Sequence, residues 1–402
     1  MRCSLIWSIF ILVLLFLLKT NVLFAQNQKA ITDIRVSPEI LAKVRLPATT
    51  IIKQVDYIPL SNKSLNLRKV DQLVVTETNF IVLDDANSTR NGKSKSVIAI
   101  YDLKGQLTAK ISGMETSSFF MDNKNELINF ENFRTGELTT YNLKGELIIK
   151  KKITVPFSDC FLLASGKIVY YNGYYIDRET AEKKDTLVNN INYTDSTGKK
   201  IFGSLSFNPN NITRRDSGGM RKHFYTSNTA GYFIQEYDYN IYSVTENEIL
   251  KKFRILLPIQ LSLPTGFLSD PKMVNNRQFF WLTKKNITYG IKNVFTNGNY
   301  ISFGLCSSGS PNNGYFYNTL SGDLFSLASI STDESTFSLP LGEEVMASSK
   351  DSFFNIISLS DINSLVGIKD VSTNFPDKIK QLITISKNEN PKLIVKISLK
   401  QN

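Results

Sequence analysis

The chain has 402 residues, with 47 Lys and Arg against 36 Asp and Glu, a formal net charge of +11, and 42% hydrophobic and 21% charged residues. That length and balance suit a folded chain of one to three domains and exclude a disordered or fibrous one. Seventeen Tyr and 26 Phe beside two Trp, with few stretches of helical period, predict a mostly-β protein.

The first 25 residues differ in kind. Arg2 precedes an apolar run at 5–18 (LIWSIFILVLLFLL), followed by Lys19 and a short segment ending in Ala25. The run is shorter than the roughly 20 residues that cross a bilayer, and its layout is that of a secretory signal peptide, residues 1–25, cleaved after Ala25. An uncleaved N-terminal anchor is the alternative, because Leu23 is bulky where small residues are preferred. Cys3 precedes the apolar run, so it is not placed as the lipidated Cys of a lipoprotein. Cleavage would leave 45 basic and 36 acidic residues, net +9, with no charge block and no membrane span. An exported chain meets little nucleic acid, and scattered Lys at turns read as solvated strand edges. Cys160 and Cys306 stand 146 residues apart in apolar runs, which predicts two buried free thiols rather than a disulfide.

Residues 26–50 read as an extended lead-in, since Pro38 and Pro47 forbid a long helix. Residues 51–60 (IIKQVDYIPL) form the first strand, and 70–84 (VDQLVVTETNFIVLD) two more around a Thr-Glu-Thr-Asn turn. After a polar loop at 85–95 comes the segment 101–110, YDLKGQLTAK, which returns forty residues later as YNLKGELIIK at 141–150. Each copy joins a Tyr-ended run to a Lys-Gly turn and a second strand, because Gly supplies the positive φ that a tight hairpin needs. Four short strands fall between 119 and 153, the content of one propeller blade. The echo persists at 193–201 (YTDSTGKKI), 241–253 (IYSVTENEILKKF) and 317–327 (YNTLSGDLFSL), with wider spacings that mark insertions. A sixth unit comes from 351–359 and 392–399, with a short helix at 376–382 between them. The strand near 55–60 pairs into this last unit and closes the ring. The predicted fold is all-β: residues 51–402 as a six-bladed β-propeller of four-stranded antiparallel blades, closed by N- and C-terminal strands. Two sandwiches side by side are the alternative packing of the same strands.

These residues resemble a family of exported six-bladed β-propellers common in Bacteroidetes. The likeness rests on VDYIPL at 55–60, FIVLDD at 80–85, the two YxLKG hairpins, YDYNIYSV at 237–244 and ENPKLIVKISLK at 389–400. It spans roughly residues 50–400, and all its motifs are strand-turn signals. It implies an extracytoplasmic propeller with no established reaction. Many relatives look like lipoproteins, and the position of Cys3 departs from that pattern.

The chemistry is marked by what is missing. His223 is the only histidine, so multi-His metal sites are excluded and any nucleophilic triad would have to use it. No phosphate-binding or dinucleotide glycine fingerprint occurs, and no calcium loop of the Asp-x-Asp-x-Asp-Gly type. Asp84-Asp85, Asp270 and Glu343-Glu344 are nominal acids for a carboxylate pair. No catalytic residues, metal or cofactor are assigned. The candidate ligand-binding residues are Arg214, Arg215, Arg221, Lys222 and His223, in the loop 208–223 (NPNNITRRDSGGMRKH) around Gly218-Gly219. Guanidinium forks with flexible glycine backbone suit carboxylate, sulfate or phosphate, while the same composition also suits a solvated insertion. A second loop, 307–314 (SSGSPNNG), is a candidate for the channel mouth. The leading reading is a monomeric, exported, periplasmic or extracellular binding module for an envelope glycan, peptide or protein. The alternative is a lyase or hydrolase using carboxylate or Tyr chemistry at the channel.

Overall fold

The structure, a computed structural model, describes residues 31–401 except 38–44, 62–64, 66, 85–95, 115, 117, 123, 133–136, 153–156, 176–186, 196–198, 217–219, 221, 228–229, 310–313, 367–376, 378–379 and 381–390. The signal segment lies outside the described residues, as does the helix expected at 376–382 apart from positions 377 and 380.

Six antiparallel sheets follow one another along the chain, each one blade. Blade one comprises Val70–Val75, Asn79–Asp84, Ser96–Asp102 and Leu107–Met114. Blade two comprises Phe120–Asp122, Leu127–Asn132, Glu137–Asn142 and Leu147–Lys152. Blade three runs through Asp159–Leu162, Ile168–Tyr171, Val188–Thr194 and Lys200–Phe207. Blade four has Phe224–Ser227, Ala230–Phe233, Asn240–Val244 and Ile249–Leu256. Blade five has Thr288–Asn297, Tyr300–Ser307, Gly314–Asn318 and Leu324–Ser326. Blade six is Ala347–Ser348, Phe353–Ser358 and Lys392–Leu399, completed by the N-terminal strand Ile52–Pro59. That strand pairs antiparallel with the C-terminal one, Val55 opposite Ile397 and Tyr57 opposite Val395, so the expected ring closure is present. Closure removes the two free edges that an open stack of blades would expose.

The five Tyr-opened hairpins are the third and fourth strands of blades one to five. In four of them the register slips by one residue beside the tyrosine (Tyr101, Tyr141, Tyr193, Tyr242), a bulge that sharpens the twist before the turn. The acidic or amide residue after the Tyr then folds the turn. Asp102 Oδ1 accepts from the Lys104 and Gln106 amides, and Asn142 Oδ1 from those of Lys144 and Glu146. Gly105 and Gly145 supply the left-handed position at φ +81° and +77°.

Within the lead-in, Thr32–Arg35 adds to blade four as a fifth strand, parallel to Ile249–Leu256. A two-point ion pair from Asp33 to Arg254, both contacts 2.8 Å, fastens it there. Leu46–Pro47 then pairs with Ile330–Ser331 beyond blade five, and Ala48–Ile51 makes one helical turn before the closing strand. The chain's start therefore crosses blades four, five and six in turn.

Neighbouring blades pack through aromatic side chains. Phe161 faces Phe224 across blades three and four at 5.9 Å between ring centroids, and Tyr225 faces Phe295 across four and five at 5.5 Å. Phe316 faces Phe353 across five and six at 5.0 Å, and Phe354 faces Phe80 across six and one at 5.9 Å. Each such pair adds about 0.5–1.5 kcal/mol beyond the burial of its area. Cys160 and Cys306 are both buried and unbridged.

Alternating strands place the connections on two faces. The turns within the first and third hairpin links, such as 76–78, 103–106, 143–146 and 245–248, are tight and lie on one face. The described parts of the longer connections, 172–175, 208–216, 257–287, 327–346 and 359–366, lie on the other. On that loop face Tyr174, Phe207, Ile212, Tyr237 and Phe267 form a satellite core with Phe280 and Trp281 of the helix Arg277–Thr283. Its polar centre is a wholly buried ion pair, Arg277 Nη1 to Asp216 Oδ2 at 3.4 Å. Nε donates to the Phe267 carbonyl, and Nη2 to the carbonyls of Phe267, Leu268 and Asp270. This pair joins the insertion before blade four to the insertion before blade five.

Candidate axial ligand channel

Residues from the first strand of every blade line one axial cavity of about 650 Å3. Gln72 and Leu73 contribute from blade one, Phe120 from two, Asp159–Leu162 from three, Phe224 and Thr226 from four, Phe295 from five, and Ala347 and Ser348 from six. Glu77, Leu103, Glu126 and Lys350, all on tight turns, also line it, so the cavity reaches the turn face.

Polar ties hold this lining in place. The Gln72 amide bonds both ways with the Phe119 backbone of the next blade, donating at 2.7 Å and accepting at 3.1 Å. Asp159 binds blade three to blade four: Oδ2 accepts from the amides of His223 at 2.6 Å and Phe224 at 2.9 Å, and Oδ1 from its neighbour Cys160 at 2.9 Å. Lys292 pairs with Glu344 at 2.8 Å between blades five and six. Burial pushes the Asp159 carboxyl up to about 6, against the opposing pull of these amides and of the Lys222 charge.

The five candidate residues of the loop 208–223 are distributed over three environments. Arg214 and Arg215 are exposed on the short 3-10 turn Arg214–Asp216, with the Arg214 guanidinium 5.7 Å from the Tyr175 ring centre. Arg221 lies outside the described residues. Lys222 turns inward and lines the axial cavity, its ammonium 5.3 Å from the Tyr225 ring centre. Among the described residues it makes no ion pair, and burial brings its pKa down to about 8, with Asp159 opposing. His223 is buried at 2% exposure, tilted against the Tyr171 ring at 4.2 Å, with its ring nitrogens facing the carbonyls of Ile234 and Met220 at 3.2 Å. Burial holds its pKa down at about 4, which keeps the imidazole neutral and inside the core.

Sequence reasoning passed over Asp159, Gln72 and Glu131. Glu131 is the last residue but one of the second strand of blade two, and burial raises its carboxyl to about 7 while Arg214 opposes the shift. No local motif marks these residues, since their roles follow from which backbone they face. The loop 307–314 lies in part outside the described residues; the Ser308 hydroxyl donates to the Trp281 carbonyl at 2.6 Å. Among the described residues no group of three His, Cys, Asp or Glu is placed to hold a metal ion.

A closed ring of six blades around an axial cavity defines a six-bladed β-propeller with a built channel. The chain belongs to the 6-bladed beta-propeller family DUF5128, whose profile matches residues 25–258. Among solved structures it is similar to a Bacteroides fragilis protein classed as exported, at 16% identity and a TM-score of 0.68, over 92% of this chain and 100% of that one. It is also similar to a member of the DUF4221 family from Bacteroides vulgatus, at 11% identity and a TM-score of 0.45, over 88% of this chain and 98% of the other. No curated protein matches the chain. The likeness expected from the hairpin motifs thus holds for family and fold. No helix among the described residues is long and apolar enough to cross a membrane.

Proposed function

We propose that this protein is exported and acts, as a monomer, as a binding module of the cell envelope whose ligand occupies the axial channel. Export is supported by the apolar run at 5–18 ahead of Ala25. The binding reading is carried by one observation: a 650 Å3 cavity, within the range of small-molecule sites, into which Lys222 brings a cation that forms no ion pair among the described residues, although the Asp159 carboxyl acts on it electrostatically. The wall around it mixes polar and apolar surface, its apolar part including Phe120, Phe161, Phe224 and Phe295. A ligand with an apolar or stacking face and one anionic group fits that lining, such as an acidic sugar or the acidic end of a peptide. Arg214 and Arg215, exposed on the loop face, add long-range attraction for an anion.

A catalytic reading has Glu131 as its best observation, a carboxyl raised into the working range of a general acid. A carboxylate pair would require a second free acid beside it. Asp159 is the other buried acid of the region, and both of its oxygens are occupied by backbone amides. The binding reading is therefore the better supported.

The test is a thermal-shift screen of residues 26–402 with uronic acids, acidic peptides and their neutral counterparts, run on wild type, Lys222→Gln and Arg214→Ala/Arg215→Ala. The expected result is stabilisation by an anionic ligand that is lost in Lys222→Gln and weakened by salt. Stabilisation that Lys222→Gln leaves untouched, or none with any anionic ligand, would remove the channel proposal.

A further inference from the structure

A second cavity, of about 230 Å3, lies at the outer side of blade three, under the insertion that precedes blade five. It shares no lining residue with the axial channel. Its apolar walls include Tyr174, Phe207 and Leu268, and its polar lining is made of amides and hydroxyls with no charged side chain. Asn190 is 1% exposed, and its orientation is fixed because Oδ1 accepts the Tyr174 amide hydrogen at 3.0 Å. Asn190 Nδ2 is turned toward the Tyr171 hydroxyl, which interacts with it and with Tyr174. Gln235 Oε1, buried in the same lining, has no donor. Native interiors rarely leave such groups unmatched, and each stranded amide opposes folding unless something fills the space. The backbone is also held in an unusual form here: Tyr174 and Leu205 both line the cavity at φ 60° and 50°, the left-handed region.

We propose that this side cavity is a second binding site, for a single neutral sugar ring. The size sets the scale. The volume equals the share of about eight waters at roughly 30 Å3 each, and lies below the roughly 300 Å3 at which sites for drug-sized ligands begin. One six-membered ring fits and a disaccharide does not. The absence of charge in the lining selects a neutral ligand, because an ion placed there would be desolvated without a counter-charge. The unmet acceptor, Gln235 Oε1, matches a sugar hydroxyl, which can donate to it while accepting from a neighbour. Phe207, Tyr174 and Leu268 offer the apolar surface that the C–H face of a pyranose covers.

The experiment is saturation-transfer NMR on residues 26–402, with glucose, galactose, mannose and N-acetylglucosamine as probes and glucuronate as the charged comparison. At least one neutral sugar gives ring-proton saturation, with affinity reduced ten-fold or more in Gln235→Leu and in Ser269→Phe. Ser269 is exposed at the rim, so its Phe variant blocks the cavity without disturbing the core. Lys222→Gln leaves the signal unchanged, which separates this site from the axial channel. No saturation with any neutral sugar, or a signal retained in both cavity variants, overturns the proposal. So does a signal lost in Lys222→Gln and kept in Gln235→Leu.

Discussion

Asp159 and His223 titrate in opposite senses across one pair of blades, and this yields a pH signature that variants can separate. Asp159 has its folded pKa raised to about 6 from 3.8, so the folded state holds its proton where the unfolded chain has lost it. Its contribution to stability is full below about 3.8 and is lost as pH rises through 6. His223 has its folded pKa lowered to about 4 from 6.5, so its contribution is full above about 6.5 and is lost as pH falls through 4. At about 1.4 kcal/mol per unit, each group is worth about 2–3 kcal/mol between pH 7 and 4, with opposite signs. In the wild type these contributions nearly cancel. Urea unfolding of residues 26–402 at intervals from pH 7 to 4 would measure them. Asp159→Asn should be less stable throughout, because an amide strands amide donors that the carboxylate accepted, at about 1–3 kcal/mol for each buried donor. The informative quantity is the slope. The stability of wild type relative to Asp159→Asn should grow by about 2–3 kcal/mol as pH falls, and relative to His223→Gln it should shrink by a similar amount. Flat difference profiles, or slopes of reversed sign, would refute the assignment of these two groups as buried and opposed.

Three further outcomes follow from the geometry. Arg277→Leu leaves the Asp216 carboxylate buried without its partner and should cost about 3–5 kcal/mol in urea unfolding, with part recovered in Asp216→Leu/Arg277→Leu; a loss under about 1 kcal/mol would show that the loop-face insertions are not joined through this pair. Gly105→Ala and Gly145→Ala should both destabilise, by about 1–2 kcal/mol for the left-handed backbone alone. Gly105→Ala should cost clearly more, because a Cβ there would meet the Pro59 carbonyl oxygen at 2.0 Å, whereas at Gly145 the nearest atom is 3.4 Å away; equal costs would count against the seating of the first hairpin on the closing strand. Burial pushes Cys306 up to about 12 and Cys160 well above its usual value, so neither thiol should react with an aromatic disulfide reagent at pH 8 until the chain is unfolded. Rapid labelling of the native protein would contradict the buried placement.

Much of the ring was legible because a hairpin is a local object. Tyr101-Asp102, Tyr141-Asn142 and Tyr317-Asn318 each carry the side chain that fills the blade interior and the oxygen that folds the turn, in adjacent positions. The closing strand at 55–60 was legible from its composition. The inner strand of blade six was not: Ala347–Ser348 is two residues long, too short to show a period of two. Nor did the lead-in announce that Thr32–Arg35 extends blade four, because a four-residue parallel pairing depends on a partner over 200 residues away. The loop 208–223 reads in sequence as one basic cluster. Its side chains separate because the first strand of blade four begins at Phe224 and Asp159 captures the amides of His223 and Phe224, which commits the last residues of the loop to the interior. Arg214 and Arg215 stay outside, on the turn that buries Asp216.

The division of the two faces bears on how such a molecule acquires specificity. The axial cavity is walled by strands whose spacing is fixed by ring closure and by the ties from Gln72, Asp159 and Lys292, so its shape is a property of the fold. The side cavity is walled by blade three, by Gln235 of blade four and by residues of the insertions before blades four and five, so its shape depends in part on residues that the ring does not require. Removing the insertion's anchor through Arg277→Leu should therefore act unequally on the two sites. The neutral-sugar signal of the side cavity should fall with the loosening of 257–287, while anion binding through Lys222 persists. Equal loss at both would mean that the insertion supports the ring itself, and that the loop face is part of the scaffold rather than an addition to it.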